Sequence, residues 1–181
     1  GIPDAEFNLL NGRARMITKM PIRLLTLQKL GLYSRKRFWD IGFCTGSVSI
    51  EARLQFPHLD IRAFEIRPEG KELMESNSRK FSAPGIEYRI GDFLAEEIPE
   101  NELCDAAFIG GHGGHLDEIM HKIHKHLAPG GCIVFNSVTV SKETFINAAM
   151  SLGMTLEEPT HIVLDNNNPI DIIKAVKPMK L

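Results

Sequence analysis

Cysteine is scarce in this chain and poorly placed for structural chemistry. The 181 residues contain three, Cys44, Cys104 and Cys132, odd in number and with no CxxC pair. That excludes a disulfide framework and argues against a zinc site, and it fits a reducing compartment. No apolar run approaches the roughly 18 residues that a membrane span needs. Aromatic residues make up only 7%, with one Trp and two Tyr, so platforms for stacking nucleic-acid bases are few. Gly1–Glu6 shows no basic region followed by an apolar core, so no secretory signal is expected and the chain reads as cytoplasmic. There is no initiator Met, which suggests a trimmed chain or a piece of a longer one. Internal repeats and low-complexity tracts are also missing.

Acid is missing from one stretch. Between Asn8 and Trp39 stand Arg13, Arg15, Lys19, Arg23, Lys29, Arg35, Lys36 and Arg37, with no Asp or Glu. The remainder carries thirteen basic against twenty-three acidic side chains, although the net charge is only −2. Such an edge can receive an anionic partner; it can equally be a solvated, helix-supporting charge set. We therefore read residues 1–35 as a basic segment with one helix, and 36–181 as the main domain, together forming a single globular unit of ordinary composition.

The rest alternates. Pro21–Leu30 carries apolar residues at helical spacing, with Thr18 as its expected N-cap and Gly31 as its stop. Strands are expected at 37–41, 60–65, 86–90, 104–109 and 132–135. Helices are expected over 47–56, 68–81, from about His115 to Leu127, and over 142–152. Two late apolar runs, 161–164 and 170–176, flank Asp165–Pro169 and read as an antiparallel hairpin. The pattern predicts an α/β, Rossmann-like, doubly wound sheet of seven strands, mostly parallel and closed by that hairpin. Met74, Met120 and Met150 are expected in the core. His121, His124 and His126 are expected on a solvated face rather than at a metal.

Four short motifs sit where such a sheet binds ligands. Asp40-Ile-Gly42-Phe43-Cys44-Thr45-Gly46 follows the first strand; glycine there lets backbone approach a ligand, and Cys44 stands where the turn favours glycine. Glu65 ends the second strand, where a carboxylate can accept both hydroxyls of a ribose. Gly91-Asp92-Phe93 follows the third strand. Gly110-Gly111-His112-Gly113-Gly114 follows the fourth, next to a helix N-terminus whose amides can meet carboxylates. A fifth motif, Leu127-Ala-Pro-Gly-Gly131, reads as helix stop, turn and strand start.

The first of these resembles the D-x-G-x-G-T-G turn of class I methyltransferases, and the fifth their L-x-P-G-G. Together with Ile2-Pro-Asp-Ala-Glu-Phe7, Met16-Ile-Thr-Lys-Met-Pro-Ile-Arg23 and the glycine loop, the chain resembles, over nearly its whole length, the decarboxylating precorrin-6B C15-methyltransferases of cobalamin synthesis. The resemblance implies S-adenosylmethionine as cofactor, held by Thr18, Gly42, Phe43, Cys44, Thr45, Gly46, Glu65, Asp92 and Phe93. It implies an anionic tetrapyrrole as substrate, met by Lys19, Arg23, Gly110, Gly111, His112, Gly113 and Gly114. It also implies a homo-oligomer, a tetramer, and in some organisms fusion to a C5-methylating unit. No metal, nucleic acid or membrane is expected, and no catalytic acid or base can be named. An RNA methyltransferase on the same fold, a nicotinamide-dependent oxidoreductase and a non-catalytic scaffold are the competing readings. The chain lacks the N-P-P-Y or D-P-P-Y of enzymes that methylate base amines, and its closing hairpin disfavours the oxidoreductase.

Overall fold

The computed structural model describes residues 1–138, 140–165 and 167–179. Among them one mixed sheet is flanked by helices on both faces. In chain order the elements are α1 (Met20–Leu30), β1 (Arg37–Ile41), α2 (Ser47–Gln55), β2 (Asp60–Glu65), α3 (Glu69–Lys80), β3 (Ile86–Ile90), β4 (Cys104–Ile109), α4 (Leu116–His126), β5 (Leu127–Ser137), α5 (Ser141–Ser151), β6 (Thr155–Leu156), β7 (Thr160–Ile162) and β8 (Ile170–Val176). The sheet runs β3-β2-β1-β4-β5-β8-β6, with β7 also on β8. β1 to β5 are parallel and β8 is antiparallel to β5.

Among the described residues the expected seven strands are eight, and the reason is local. β6 pairs with Ala175 and Val176 of β8, while β7 pairs with Ile170 to Ile172 of the same strand. They are two pieces of one edge strand, interrupted around Pro159, which has no N–H to give a ladder. The expected hairpin is present between β7 and β8; Asn166, in its turn, lies outside the described residues.

Alternation along β1 explains the two layers. Phe38 joins Ile22, Leu27 and Leu30 of α1 and Val48 and Ala52 of α2 on one face. Trp39 and Ile41 face Met120 and Ile123 of α4 and Phe145 of α5 on the other. The N-terminal segment thus shares the main core. Helix α1 starts one residue later than Thr18 would place it: Lys19 is its N-cap, with no side-chain cap, and Pro21 supplies a first-turn residue that needs no acceptor. Gly31 ends it with φ 64°.

Three smaller expectations are corrected. Met150 is 65% exposed, because its helical position falls outside the buried stripe of Phe145, Ala148 and Ala149. His126 is buried beside Trp39, with Nδ1 3.1 Å from the Glu102 carbonyl, so the three histidines do not share a solvated face. Pro129-Gly-Gly131 makes no separate turn: α4 passes directly into β5, and the irregularity is taken up as a register shift against β4.

Candidate active site

Parallel strands wind outward in opposite directions from β1 and β4, so their carboxyl ends open a crevice at that switch. The turn after β1 and the loop after β4 meet there. Gly110 and Gly111 both donate to the Ile41 carbonyl (2.8 and 3.3 Å). Gly42 has φ 73°, and a Cβ on it would lie 2.5 Å from the backbone N and O of Gly111. Only glycine satisfies both conditions. Cys44 adopts φ 49°, a left-handed conformation that L-residues rarely take. The turn therefore forms despite the cysteine, and the local strain is offset by an anchor. The Cys44 amide donates to Glu65 Oε2 at 2.8 Å.

Glu65 is 2% exposed at the end of β2. Its other oxygen accepts the Arg67 amide at 2.9 Å and the Arg67 guanidinium at 3.3 Å. Asp40, at the penultimate position of β1, is fully buried. Ser49 Oγ donates to its Oδ2 at 2.6 Å, while Oδ1 has no hydrogen-bond partner among the described residues. Burial pushes its pKa up to about 7 against the opposing pull of the Ser49 bonds. Asp40 lines the cleft, so the orphaned oxygen is a prepared acceptor for a donor or cation bound there. Burial, with Glu65 beside it, pushes the Cys44 thiol up, so it is not a thiolate nucleophile at neutral pH.

The cleft has a volume of about 960 Å³. A single small-molecule pocket is commonly ~300–1,000 Å³, so there is room for a cofactor and part of a second ligand. Of the residues expected from sequence, Thr18, Lys19, Gly42 to Thr45, Glu65, Asp92, Phe93 and Gly110 to Gly113 line it. Gly46 and Gly114 do not; they shape the two turns. Asp92 Oδ1 accepts the Leu94 amide at 2.9 Å, which fixes its carboxylate at the rim.

Arg23 requires a correction. It is completely buried, with Nε on Glu51 (2.9 Å), Nη1 on Asp4 (3.1 Å) and the Thr18 carbonyl (2.6 Å), and Nη2 on the Ile2 carbonyl. It ties the first residues to α1 and α2 and is not among the residues that line the cleft. The basic stretch is likewise dispersed. Arg15 and Lys19 reach the cleft, Arg35 donates to the Gly130 carbonyl, and Arg37 starts β1 at the opposite end of the sheet.

The glycine loop offers fewer amides than its composition promises. Those of Gly110 and Gly111 are held by Ile41, that of Gly114 by His112 Nδ1 (3.2 Å) and that of His115 by the His112 carbonyl. Asp117 and Glu118 fill the first turn of α4 and oppose an anion at its N-terminus. Because Gly114 donates to Nδ1, the neutral His112 ring carries its proton on Nε2, 3.3 Å from Ser141 Oγ. Burial, and less strongly His115, holds this imidazole below its usual pKa.

Sequence reasoning missed Asn136, Asn167 and Asn168, polar residues that also line the cleft. It quoted Asp40 only as part of a motif. It also missed Lys122, whose ammonium donates to the carbonyls of Phe93 (2.6 Å), Leu94 (3.2 Å) and Glu96 and so holds the loop after β3. No local pattern marks a lysine on an amphipathic helix for that task.

The precorrin methyltransferase domain family matches residues 11–180. A cobalt-precorrin-6B C(15)-methyltransferase (decarboxylating) of Salmonella typhimurium is 39% identical over 71% of this chain and 66% of its own length, so the match spans just under two thirds of that relative. A probable enzyme of the same name from Sulfurisphaera tokodaii is 30% identical, with 98% of each chain covered. The precorrin-6Y C(5,15)-methyltransferase of a Sinorhizobium species is 35% identical over 72% of this chain but only 31% of its own. The crystal structure of a precorrin-6Y C5,15-methyltransferase from Geobacter metallireducens superposes with a TM-score of 0.84 at 32% identity, covering 98% of both chains. The chain belongs to the precorrin methyltransferase domain family.

Proposed function

We propose that this protein transfers the methyl group of S-adenosylmethionine to C15 of a precorrin and removes the carboxyl of the C12 acetate as CO2, a step of cobalamin synthesis. The observation that carries the reading is the pairing, in one cleft of a precorrin-family chain, of a glycine turn anchored on Glu65 with a polar, cationic wall. The residues fit the cofactor: Asp40 Oδ1 is a buried acceptor without a partner among the described residues, suited to a cationic ligand.

Gly42 to Thr45, Glu65, Asp92, Phe93 and Thr18 are the residues proposed to hold S-adenosylmethionine, with Glu65 on the ribose hydroxyls and Asp40 towards the ammonium end. Arg15, Lys19, His112, Gly113 and Asn136 are proposed to hold the tetrapyrrole carboxylates. The bound cofactor supplies an electrophilic methyl on a positive sulfur, strong enough to react with a carbon nucleophile unaided. The protein needs no side-chain nucleophile; it aligns the two reactants and excludes water.

For decarboxylation the C–C bond to the carboxyl breaks, its electron pair enters the conjugated macrocycle, and the remaining carbon takes a proton. The apolar lining from Ile17, Val48, Phe108 and Val138 favours neutral CO2 over a buried carboxylate. Either a precorrin or its cobalt complex presents these carboxylates. The dispersal of the basic side chains disfavours an RNA substrate, which needs a continuous phosphate track.

Among the described residues no helix is long and apolar enough to cross a membrane. A cytoplasmic location, a tetramer and a companion C5-methylating unit, fused or separate, complete the proposal; sedimentation velocity tests the assembly. The cofactor site is tested by calorimetric titration of S-adenosylhomocysteine into wild type and Glu65→Ala, with NADH as control. Micromolar binding of the first ligand alone, weakened in the variant, is expected. Binding of NADH instead, or no binding of either, contradicts the reading.

A further inference from the structure

The first ten residues do not line the cleft, yet they are tied to the turn that does. Asn77, on α3, is the tie. Its side chain is completely buried. Oδ1 accepts the Asn8 amide at 2.8 Å, and Nδ2 donates to the Asn8 carbonyl at 3.0 Å and to the Thr45 carbonyl at 2.9 Å. One carboxamide thus mimics a strand partner for Asn8 and spends its remaining donor on the glycine turn. The attachment is reinforced on both sides. Asn8 Nδ2 donates to Ser76 Oγ at 3.2 Å, and the Lys80 ammonium donates to the Glu6 carbonyl. At the other end of the segment the Ile2 amide donates to both Glu51 oxygens.

The Thr45 carbonyl fixes the Thr45–Gly46 peptide plane. That plane aims the Gly46 amide at the Phe43 carbonyl (2.9 Å), the bond that closes the turn around Cys44. Gly46 then enters α2 with φ 77°. Cys44 already sits in an unfavourable conformation, so the turn depends on outside supports. Glu65 supplies one from the cleft and Asn77 supplies the other from behind it.

We infer that Asn77 is a positioning residue for the cofactor turn, acting through the Thr45 carbonyl and coupling that turn to residues 6–9. The inference rests on the proposed placement of S-adenosylmethionine at Gly42–Thr45. Asn77 touches no ligand, so its effect is on cofactor affinity rather than on the chemical step.

Asn77→Asp is the informative variant. It keeps the shape and the acceptor for the Asn8 amide but turns an oxygen towards two carbonyls, which leaves both unsatisfied. Calorimetry with S-adenosylhomocysteine should show roughly tenfold weaker binding or more, and KM for S-adenosylmethionine should rise while kcat at saturation changes less than about threefold. A second measurement does not depend on the variant's folding. In wild type, hydrogen exchange of the Asn8 amide should slow when S-adenosylhomocysteine saturates the cleft, although residues 6–9 lie outside it. Wild-type affinity in Asn77→Asp, or unchanged exchange at Asn8, overturns the coupling while leaving the cofactor site intact. Failure of wild type to bind S-adenosylhomocysteine overturns the cofactor reading, and this inference with it.

Discussion

Gly42 and Gly111 pack backbone to backbone where the two loops that frame the cleft meet: a Cβ on Gly42 would lie 2.7 Å from Gly111 Cα. Gly42→Ala combines left-handed strain with this clash. The strain contributes about 1–2 kcal/mol and the clash about 1–3 kcal/mol, so a stability loss of roughly 2–5 kcal/mol is expected. Urea unfolding measures it, and a loss below about 1 kcal/mol would show that the loops separate easily.

Asp40 makes the protein pH-sensitive with a definite sign. Its pKa is near 3.8 when unfolded and about 7 when folded, so between these values the native state holds the extra proton. Stability from this group is fully present below pH ~4, falls as pH rises towards 7, and is flat above. Asp40→Asn removes the slope. Its stability relative to wild type should therefore climb between pH 5 and 7 by up to about 1.4 kcal/mol per pH unit and then level off. A pH-independent difference in urea midpoints argues against the raised pKa.

The same carboxyl bears on ligand binding. In the proposed placement ionised Asp40 faces the ligand's cationic amino group, so S-adenosylhomocysteine should bind more weakly as pH falls from 8 to 6, and Asp40→Asn should flatten the dependence. Calorimetry across that range decides it; an equal slope in the variant assigns the dependence elsewhere.

Arg23 and Glu51 form a buried ion pair at 2.9 Å. Removing one charge leaves the other stranded, and Arg23→Met should cost about 3–5 kcal/mol. The double variant Arg23→Met, Glu51→Leu should recover part of that loss in thermal unfolding. If Arg23→Met were as stable as wild type and only substrate KM rose, the residue would belong to the ligand site after all.

What the sequence made legible was local. The Gly42–Gly46 turn, Glu65 and the Gly110–Gly114 loop announce themselves because their chemistry depends on neighbours in the chain and on strand ends. Arg23, Asn77 and Lys122 stay hidden because a decisive partner of each is far along the chain, Glu51 at 28 residues, Asn8 at 69 and Phe93 at 29, and a charge or an amide on a helix has no periodicity that separates anchor from surface. The mis-sized sheet has the same origin. A proline between two short apolar runs shows where a strand breaks, but only β8 shows that both pieces share one edge.

The most direct test is an anaerobic incubation of the protein with precorrin-6B and S-adenosylmethionine labelled in the methyl group, followed by mass spectrometry of the tetrapyrrole and trapping of released CO2. A product that gains one labelled methyl and loses one carboxyl, formed in step with S-adenosylhomocysteine, is the expected result. An unchanged tetrapyrrole from protein that binds the cofactor would contradict the assignment.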